Sequence, residues 1–381
     1  MDDLSSVRQE IDRIDDEMLR LFRERTECAN KVAAYKAQHK MPVLDRTRER
    51  AIVLDAADKV PDDMRTYAEV LMELLMSASR SRQTRLLSQS DPIMERVQAA
   101  LAGTPALFPT EAHVACQGVE GAYSQMACDR LFKHAEISFF DTFEGVFAAV
   151  EQGFCDFGVL PVENSTAGSV NQVYDLMMEH NFSVARTCRL KVDHCLLAKP
   201  GVGLDDITDV YSHEQAINQC QGFLSQLHGA TVHVARNTAM ASKMVAESER
   251  PGVAALASRS AAQLYGLEVL ARDIQDRGNN YTRFACISKD LRIYPGADRT
   301  SLMLVVNHEP GALYHVLSKF YALDLNVTKL ESRPIPDRDF EFMFYFDADI
   351  PAASPDFGSL ITGLRDSCED LRYLGSYVEV V

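Results

Sequence analysis

The chain reads as a multidomain protein: an all-α module, then a two-lobed α/β domain, then a βαββαβ unit. Three observations predict this. Apolar residues recur at spacings of three and four through the first forty residues, which contain no Gly or Pro. From His113 onward, short apolar runs alternate with helical stretches. After residue 298 the order becomes strand, helix, strand, strand, helix, strand. The 381 residues suit two or three domains, and 46% hydrophobic with 25% charged residues excludes disordered and fibrous architectures.

The first element follows from its seam. Leu4, Val7, Ile11, Ile14, Met18 and Leu21 continue through Arg25, Cys28, Val32 and Tyr35. A helix over this stretch runs roughly 50 Å at 1.5 Å per residue. It cannot bury such a stripe alone and needs further helices or a second chain. Pro42 ends it, and Asp45 stands as the N-cap of a second helix reaching about Lys59. Pro61 breaks that one, and a third helix presents Tyr67, Val70, Leu71, Leu74, Leu75 and Ala78. Residues 1–90 are therefore expected to be all-helical, with 91–111 a linker that carries one short helix.

Candidate strands in the α/β domain, residues 112–290, are Val114–Cys116, Phe157–Pro161, Cys195–Ala198, Asp209–Tyr211, Val232–Ala235, Val253–Leu256 and Phe284–Ser288. Helices at Ser124–Phe132, Thr142–Glu151 and Thr238–Glu247 separate them, which predicts largely parallel sheets in two lobes around a cleft. In residues 298–381 the strands are Ser301–Asn307, Val327–Ser332, Phe340–Asp347 and Tyr373–Val380. The helices are Gly311–Tyr321 and Ser354–Ser367, a ferredoxin-like arrangement.

Charge and cysteines narrow the function. The net charge of −16 argues against nucleic acid as a partner, and almost all of the excess lies beyond residue 90. No apolar run is long enough for a membrane span, and the acidic Met1-Asp2-Asp3 start is unlike a secretory signal. Nine Cys without a C-x-x-C spacing predict reduced thiols, with no metal site. A cytoplasmic protein is expected.

The helical module collects cations and neutral donors. Arg25 falls on the apolar seam, Arg8 beside Val7 and Lys36 beside Tyr35; Arg48 and Glu49 open the second helix; Ser79 and Gln83 are i, i+4 on the third. Three Arg, one Lys and two neutral donors suit a ligand with two carboxylates. This set, with Asp45, resembles the all-helical chorismate mutase family over residues 4–85. The resemblance implies an intertwined dimer in which Arg8 reaches the partner's site. It also implies that Arg8, Arg25 and Arg48, assisted by Ser79, hold carboxylates. Lys36 and Gln83 would face the breaking ether oxygen, while Asp45 and Glu49 would locate the ring hydroxyl.

The α/β domain carries four polar segments at strand ends: Gly118–Ser124, Pro161–Ser169, Tyr211–Gln215 with Gln219 beyond, and Asn279–Phe284. For His213, a helix-capping or core-satisfied role is favoured over a general base. In this order the segments resemble prephenate dehydratases. That family folds as two α/β lobes similar to periplasmic binding proteins. The resemblance implies Thr282 as catalytic hydroxyl, Asn164, Ser212 and Gln219 as polar site positions, and Arg283 as carboxylate partner. Whether Thr282 donates a hydrogen bond or relays a proton stays open.

In the last module, Gly311-Ala312-Leu313 opens the first helix and Glu331-Ser332-Arg333-Pro334 ends the second strand. Together they resemble the ACT domain of phenylalanine-regulated dehydratases, where both flank an amino-acid pocket at a dimer interface. The resemblances imply chorismate and prephenate as substrates, phenylalanine as inhibitor, no cofactor, and a homodimer or higher homo-oligomer. A non-catalytic amino-acid sensor of the same architecture is the alternative.

Overall fold

The computed structural model describes residues 4–39, 41–87, 91–336, 338, 341–365 and 367–381. The expected start of a strand at Phe340 and the Met1-Asp2-Asp3 start lie outside these. With no Gly or Pro to break it, α1 (Leu4–Gln38) is one 35-residue helix. Asp45 caps α2 (Arg46–Ala57), its carboxylate accepting from Arg48 N at 3.0 Å. After a 3-10 turn at Asp62–Met64, α3 (Arg65–Leu87) packs against both α1 and α2. Much of the apolar seam stays open in the single chain: Ile11 is 51% and Met18 52% exposed, and Leu74 on α3 is 55% exposed.

The segment expected to be a linker has a structural role. Asp91 caps α4 (Pro92–Gly103) and pairs with Arg365 at 2.8 Å. Ile93, Val97 and Ala100 enter the core of the C-terminal module. Burying Ile93 and Val97 stabilises this docking by about 1.5–3 kcal/mol each.

The first lobe contains β1 (Glu111–Gln117), α5 (Tyr123–Leu131), β2 (His134–Phe140), α6 (Phe143–Glu151), β3 (Phe157–Asn164), β4 (Gly168–Ser169), α7 (Asn171–Glu179) and β5 (Ser183–Lys191). The chain then crosses to the second lobe: β6 (Cys195–Ala198), β7 (Asp209–Ser212), α8 (Glu214–Gln219), α9 (Gln221–Leu224), β8 (Thr231–Val234), α10 (Thr238–Glu247), β9 (Val253–Ala257), α11 (Arg259–Tyr265) and β10 (Glu268–Ala271). It returns through β11 (Tyr281–Ser288). The second sheet runs β10-β6-β9-β7-β8.

The sheets are mixed, not largely parallel. β11 lies antiparallel between β5 and β3, and β6 is antiparallel to both β9 and β10. The double crossing is the reason, because strands that leave and re-enter a lobe arrive from the cleft side. The two crossovers hold each other: Val192 N donates to Asn280 O at 2.8 Å and Ile274 N to His194 O at 3.1 Å.

The C-terminal module is β12 (Arg299–Val306), α12 (Ala312–Ala322), β13 (Val327–Pro334), β14 (Phe342–Ala348), α13 (Pro355–Arg365) and β15 (Cys368–Tyr377), with sheet order β13-β14-β12-β15. Alternation along its strands feeds two cores. Leu302, Leu304 and Phe346 pack with residues of α4, α12 and α13, while Met303, Val305 and Tyr345 pack on the first lobe. Gly375 of β15 approaches so closely that a Cβ would sit 2.3 Å from Val184 O, which only glycine permits. The chain ends in β16 (Glu379–Val380), a parallel edge strand on β5 that completes the first-lobe order β16-β5-β11-β3-β1-β2.

Candidate active sites

In the helical module, Arg25 crosses from α1 to α3, donating to Leu75 O at 2.8 Å and Ser79 Oγ at 2.6 Å. Both acceptors are neutral, so the half-buried guanidinium keeps its charge for an anion. Gln83 follows Ser79 by one turn; it is 7% exposed, and its Oε1 is buried without a partner among the described residues. Such an orphan acceptor costs stability unless a ligand or water satisfies it. Lys36 donates to Val43 O at 2.5 Å, just beyond the end of α1. Glu49 pairs with Arg80, both half-buried. Arg80 was missed in the sequence, although it is i, i+3 with Gln83 and thus on the same face. Asp45 is engaged as the α2 cap, and Arg48 is exposed. Arg8 is exposed and lies 17 residues before Arg25, about 26 Å along the same helix. It therefore lies far from the Arg25–Ser79 contact of its own chain.

The cleft of the α/β domain holds a cavity of about 780 Å³ lined by Thr166, His213, Asn218, Gln219, Arg277 and Asn280, among others. Register places Asn164 on β3 directly opposite Thr282 on β11. Asn164 Oδ1 accepts from the backbone N–H groups of Thr166 and Ala167 at 3.0 and 2.9 Å and from Thr166 Oγ1 at 2.7 Å. Its Nδ2 donates to Thr282 Oγ1 at 2.9 Å and Asn280 Oδ1 at 2.8 Å. From the second lobe, Gln219 Nε2 donates to Thr166 Oγ1 at 3.0 Å, and its Oε1 accepts from Asn280 Nδ2 at 2.8 Å. Asn164, Gln219 and Thr282 are thus brought together by two lobes and one crossover. Thr166 and Asn280, which join them, lay inside the recognised segments but were not singled out there.

Two expectations are corrected. Ser212 is fully buried, its hydroxyl donating to Leu256 O at 2.7 Å, so it ties β7 to β9 where a substrate-binding role was expected. Arg283 follows Thr282 on a pleated strand and points to the opposite face. There it meets Glu163 at 3.3 Å, Glu379 at 2.8 Å and Asp347 at 3.9 Å, in a cluster shared with the C-terminal sheet. Three protein carboxylates occupy it, and the guanidinium lining the cavity is Arg277. His213 caps α8, its Nδ1 accepting from Gln215 N at 3.2 Å, as favoured.

In the C-terminal module, Gly311 adopts φ +84° at the start of α12, a left-handed conformation suited to glycine. Gly311, Ala312 and Leu313 line a cavity of about 470 Å³ with Phe342 and Phe344. Ser332 and Pro334 are not among its lining residues, and the charged members of their motif engage the first lobe instead. Glu331 hydrogen-bonds Ser169, and Arg333 pairs with Asp175 of α7 at 2.7 Å. One chain therefore does not bring the two halves of the motif together around one pocket.

Family models match at residues 7–84, chorismate mutase type II, and residues 114–292, prephenate dehydratase. The bifunctional chorismate mutase/prephenate dehydratase of Aquifex aeolicus is 33% identical over 384 residues, covering 99% of this chain and 98% of the relative. Its Escherichia coli K12 counterpart is 31% identical over 382 residues, covering 98% and 96%. A solved prephenate dehydratase from Arthrobacter aurescens, in complex with L-Phe, has a TM-score of 0.65 at 27% identity over 70% of this chain and 89% of that one. Two catalytic modules in this order, matched end to end by bifunctional relatives, show that the chain belongs to the bifunctional chorismate mutase/prephenate dehydratase family.

Proposed function

We propose that the chain rearranges chorismate to prephenate in the helical module and converts prephenate to phenylpyruvate, water and carbon dioxide in the α/β cleft, under inhibition by phenylalanine. The observation that carries the reading is the near-complete coverage of bifunctional relatives at 33% and 31% identity.

The first reaction is pericyclic and needs no nucleophile. The module has to hold a flexible dianion in its reactive shape and stabilise charge on the breaking ether oxygen. Arg25 and Arg48 hold carboxylates, Lys36 and Gln83 face the ether oxygen, and Glu49 locates the hydroxyl. A second copy of the chain covers the open seam of α1 and supplies Arg8, making the protein a homo-oligomer. In the second reaction the carboxylate carbon leaves as carbon dioxide. Its bonding pair moves into the ring, and the ring hydroxyl departs as water with one added proton. Thr282 hydrogen-bonds the departing oxygen, and Arg277 holds a substrate carboxylate in place of Arg283.

The C-terminal module acts as an ACT domain. Its Gly311–Leu313 pocket takes phenylalanine at an interface to which the partner brings its own Glu331–Pro334. Inhibition requires that phenylalanine bind one conformational state more tightly than the other. Location in the cytoplasm fits the reduced-thiol composition.

The test is one reaction with chorismate alone, following chorismate loss and phenylpyruvate formation separately, with and without phenylalanine. Phenylpyruvate that phenylalanine suppresses is the expected result. Chorismate left untouched overturns the mutase assignment, and prephenate left untouched in a parallel feed overturns the dehydratase.

A further inference from the structure

His194, at the first crossover between the lobes, belongs to none of the segments recognised in the sequence. It is 2% exposed. Its Nε2 lies 3.0 Å from Gln219 Oε1, and its Nδ1 is buried without a partner among the described residues. Its backbone is held by the second crossover, with His194 N donating to Gln275 Oε1 at 2.9 Å.

Hydrogen-bond satisfaction fixes the direction of every link between this imidazole and Thr282. Backbone N–H groups can only donate, so the atom of Asn164 facing Thr166 N and Ala167 N is Oδ1. Thr166 Oγ1 therefore donates its one hydrogen to that oxygen and must accept from Gln219, which presents Nε2. The Gln219 oxygen then faces both Asn280 Nδ2 and His194. His194 has to donate there, which places its proton on Nε2 and leaves the buried Nδ1 as a bare acceptor. The alternative tautomer would bury an N–H donor at Nδ1 and set Nε2 lone pair against carbonyl oxygen. Burial holds the imidazole below its ordinary pKa, against the opposing hydrogen bond to Gln219, so the ring is neutral at physiological pH. At the other end, Thr282 Oγ1 accepts from Asn164 Nδ2, which leaves its own hydrogen available for donation.

We infer that His194 is a positioning residue of the dehydratase: as the neutral Nε2–H tautomer it orients Gln219, whose amide braces Thr166 and Asn280, the two residues that hold Asn164 against Thr282 as a donor to the departing hydroxyl. This inference rests on the dehydratase reading and assigns Thr282 hydrogen-bond donation.

The experiment compares His194→Phe, which keeps ring volume without a donor, with His194→Gln, whose side-chain amide N–H reaches the Nε2 position. Both are assayed on prephenate, with mutase rate and Tm as controls for folding. His194→Phe should lower kcat by about 100-fold, the cost of a misoriented catalytic group, while KM moves little. His194→Gln should stay close to wild type. Adding Thr166→Val to His194→Phe should cost little more than either change alone, because both break one network. Wild-type kcat in a folded His194→Phe variant overturns the inference, as does a folded His194→Gln variant impaired equally. Nitrogen NMR of the 15N-histidine-labelled full chain, with His194 assigned by its loss in the Gln variant, reads the tautomer without turnover. An Nδ1–H signal overturns the inference. A wild-type chain inert on prephenate but showing the Nε2–H tautomer would instead place the failure in the proposed reaction.

Discussion

The two catalytic regions solve the same problem, a small dianionic substrate, with opposite means. The helical module uses charge: Arg25 is held across α1 and α3 by neutral acceptors, and Glu49 meets Arg80 in the same module. Its apolar seam lies open in the single chain, and Arg8 lies far from the Arg25–Ser79 contact. The dehydratase cleft uses neutral hydrogen bonds: Asn164, Thr166, Gln219, Asn280 and Thr282 form a closed network within one chain. The difference teaches that a site's chemistry sets its architecture. A pericyclic shift needs only shape and field, which long helices from two chains can provide. Expelling a hydroxyl needs a donor aimed within tenths of an ångström, which a sheet register and a locked crossover provide.

The sharpest way to break this comparison is a reciprocal pair. Thr282→Ala should cut prephenate turnover by about 1,000-fold or more and leave the mutase intact, while Lys36→Ala should cut chorismate turnover by a similar factor and spare the dehydratase. Loss of both activities in either variant would contradict independent sites.

A smaller effect tests the proposed contribution of a second chain to the helical site. Ile11→Glu places a charge on the open seam and should convert the oligomer to smaller species in sedimentation. Mutase activity should fall about 100-fold as Arg8 is withdrawn from its clamp, with dehydratase activity on prephenate retained. An unchanged sedimentation coefficient would show that the seam is not a subunit interface.

The smallest effect sharpens how the dehydratase lobe is tied to the C-terminal sheet. His180 lies 2.8 Å from Glu151 and 3.1 Å from Glu144, while Arg372 of β15 donates to its carbonyl. Burial opposes the charged imidazole, but the two carboxylates prevail and raise its pKa above the ordinary value of 6.5. Its stabilising contribution is full below the free imidazole value and is lost as pH rises through the folded one. The Tm advantage of wild type over His180→Gln should therefore shrink from pH 6 to pH 8, by under about 1 kcal/mol in stability. An advantage that grows with pH would reverse the assignment.

Legibility differed with the kind of information required. α10 (Thr238–Glu247) and β6 (Cys195–Ala198) match their expected bounds, because local period and caps define them. Four strands, β2, β4, β5 and β10, were missed: β2 alternates polar and apolar residues without a solid apolar run, and β4 has two residues. Thr282, Asn164 and Gln219 were singled out through their motifs, and the structure joins them in one hydrogen-bond network. Arg283 was misread because a motif does not say which face of a strand each residue occupies, and one step along a pleat reverses it. His194 carried no signal at all, since a single histidine in an apolar stretch reads as core.

The amino-acid order alone determined the three-module organisation, the helical periods, the cap at Asp45, and the residue types of both sites. These depend on neighbours within a few positions, where propensity and spacing act directly. Only the tertiary structure decided that α4 belongs to the C-terminal core, that Arg283 serves an interdomain ion cluster and that Ser212 is sealed. It also decided that a histidine at the crossover meets Gln219, two hydrogen bonds away from the Asn164 that donates to Thr282. Those outcomes depend on register and on partners distant in the chain, 96 residues apart for Arg283 and Glu379, which no local pattern encodes.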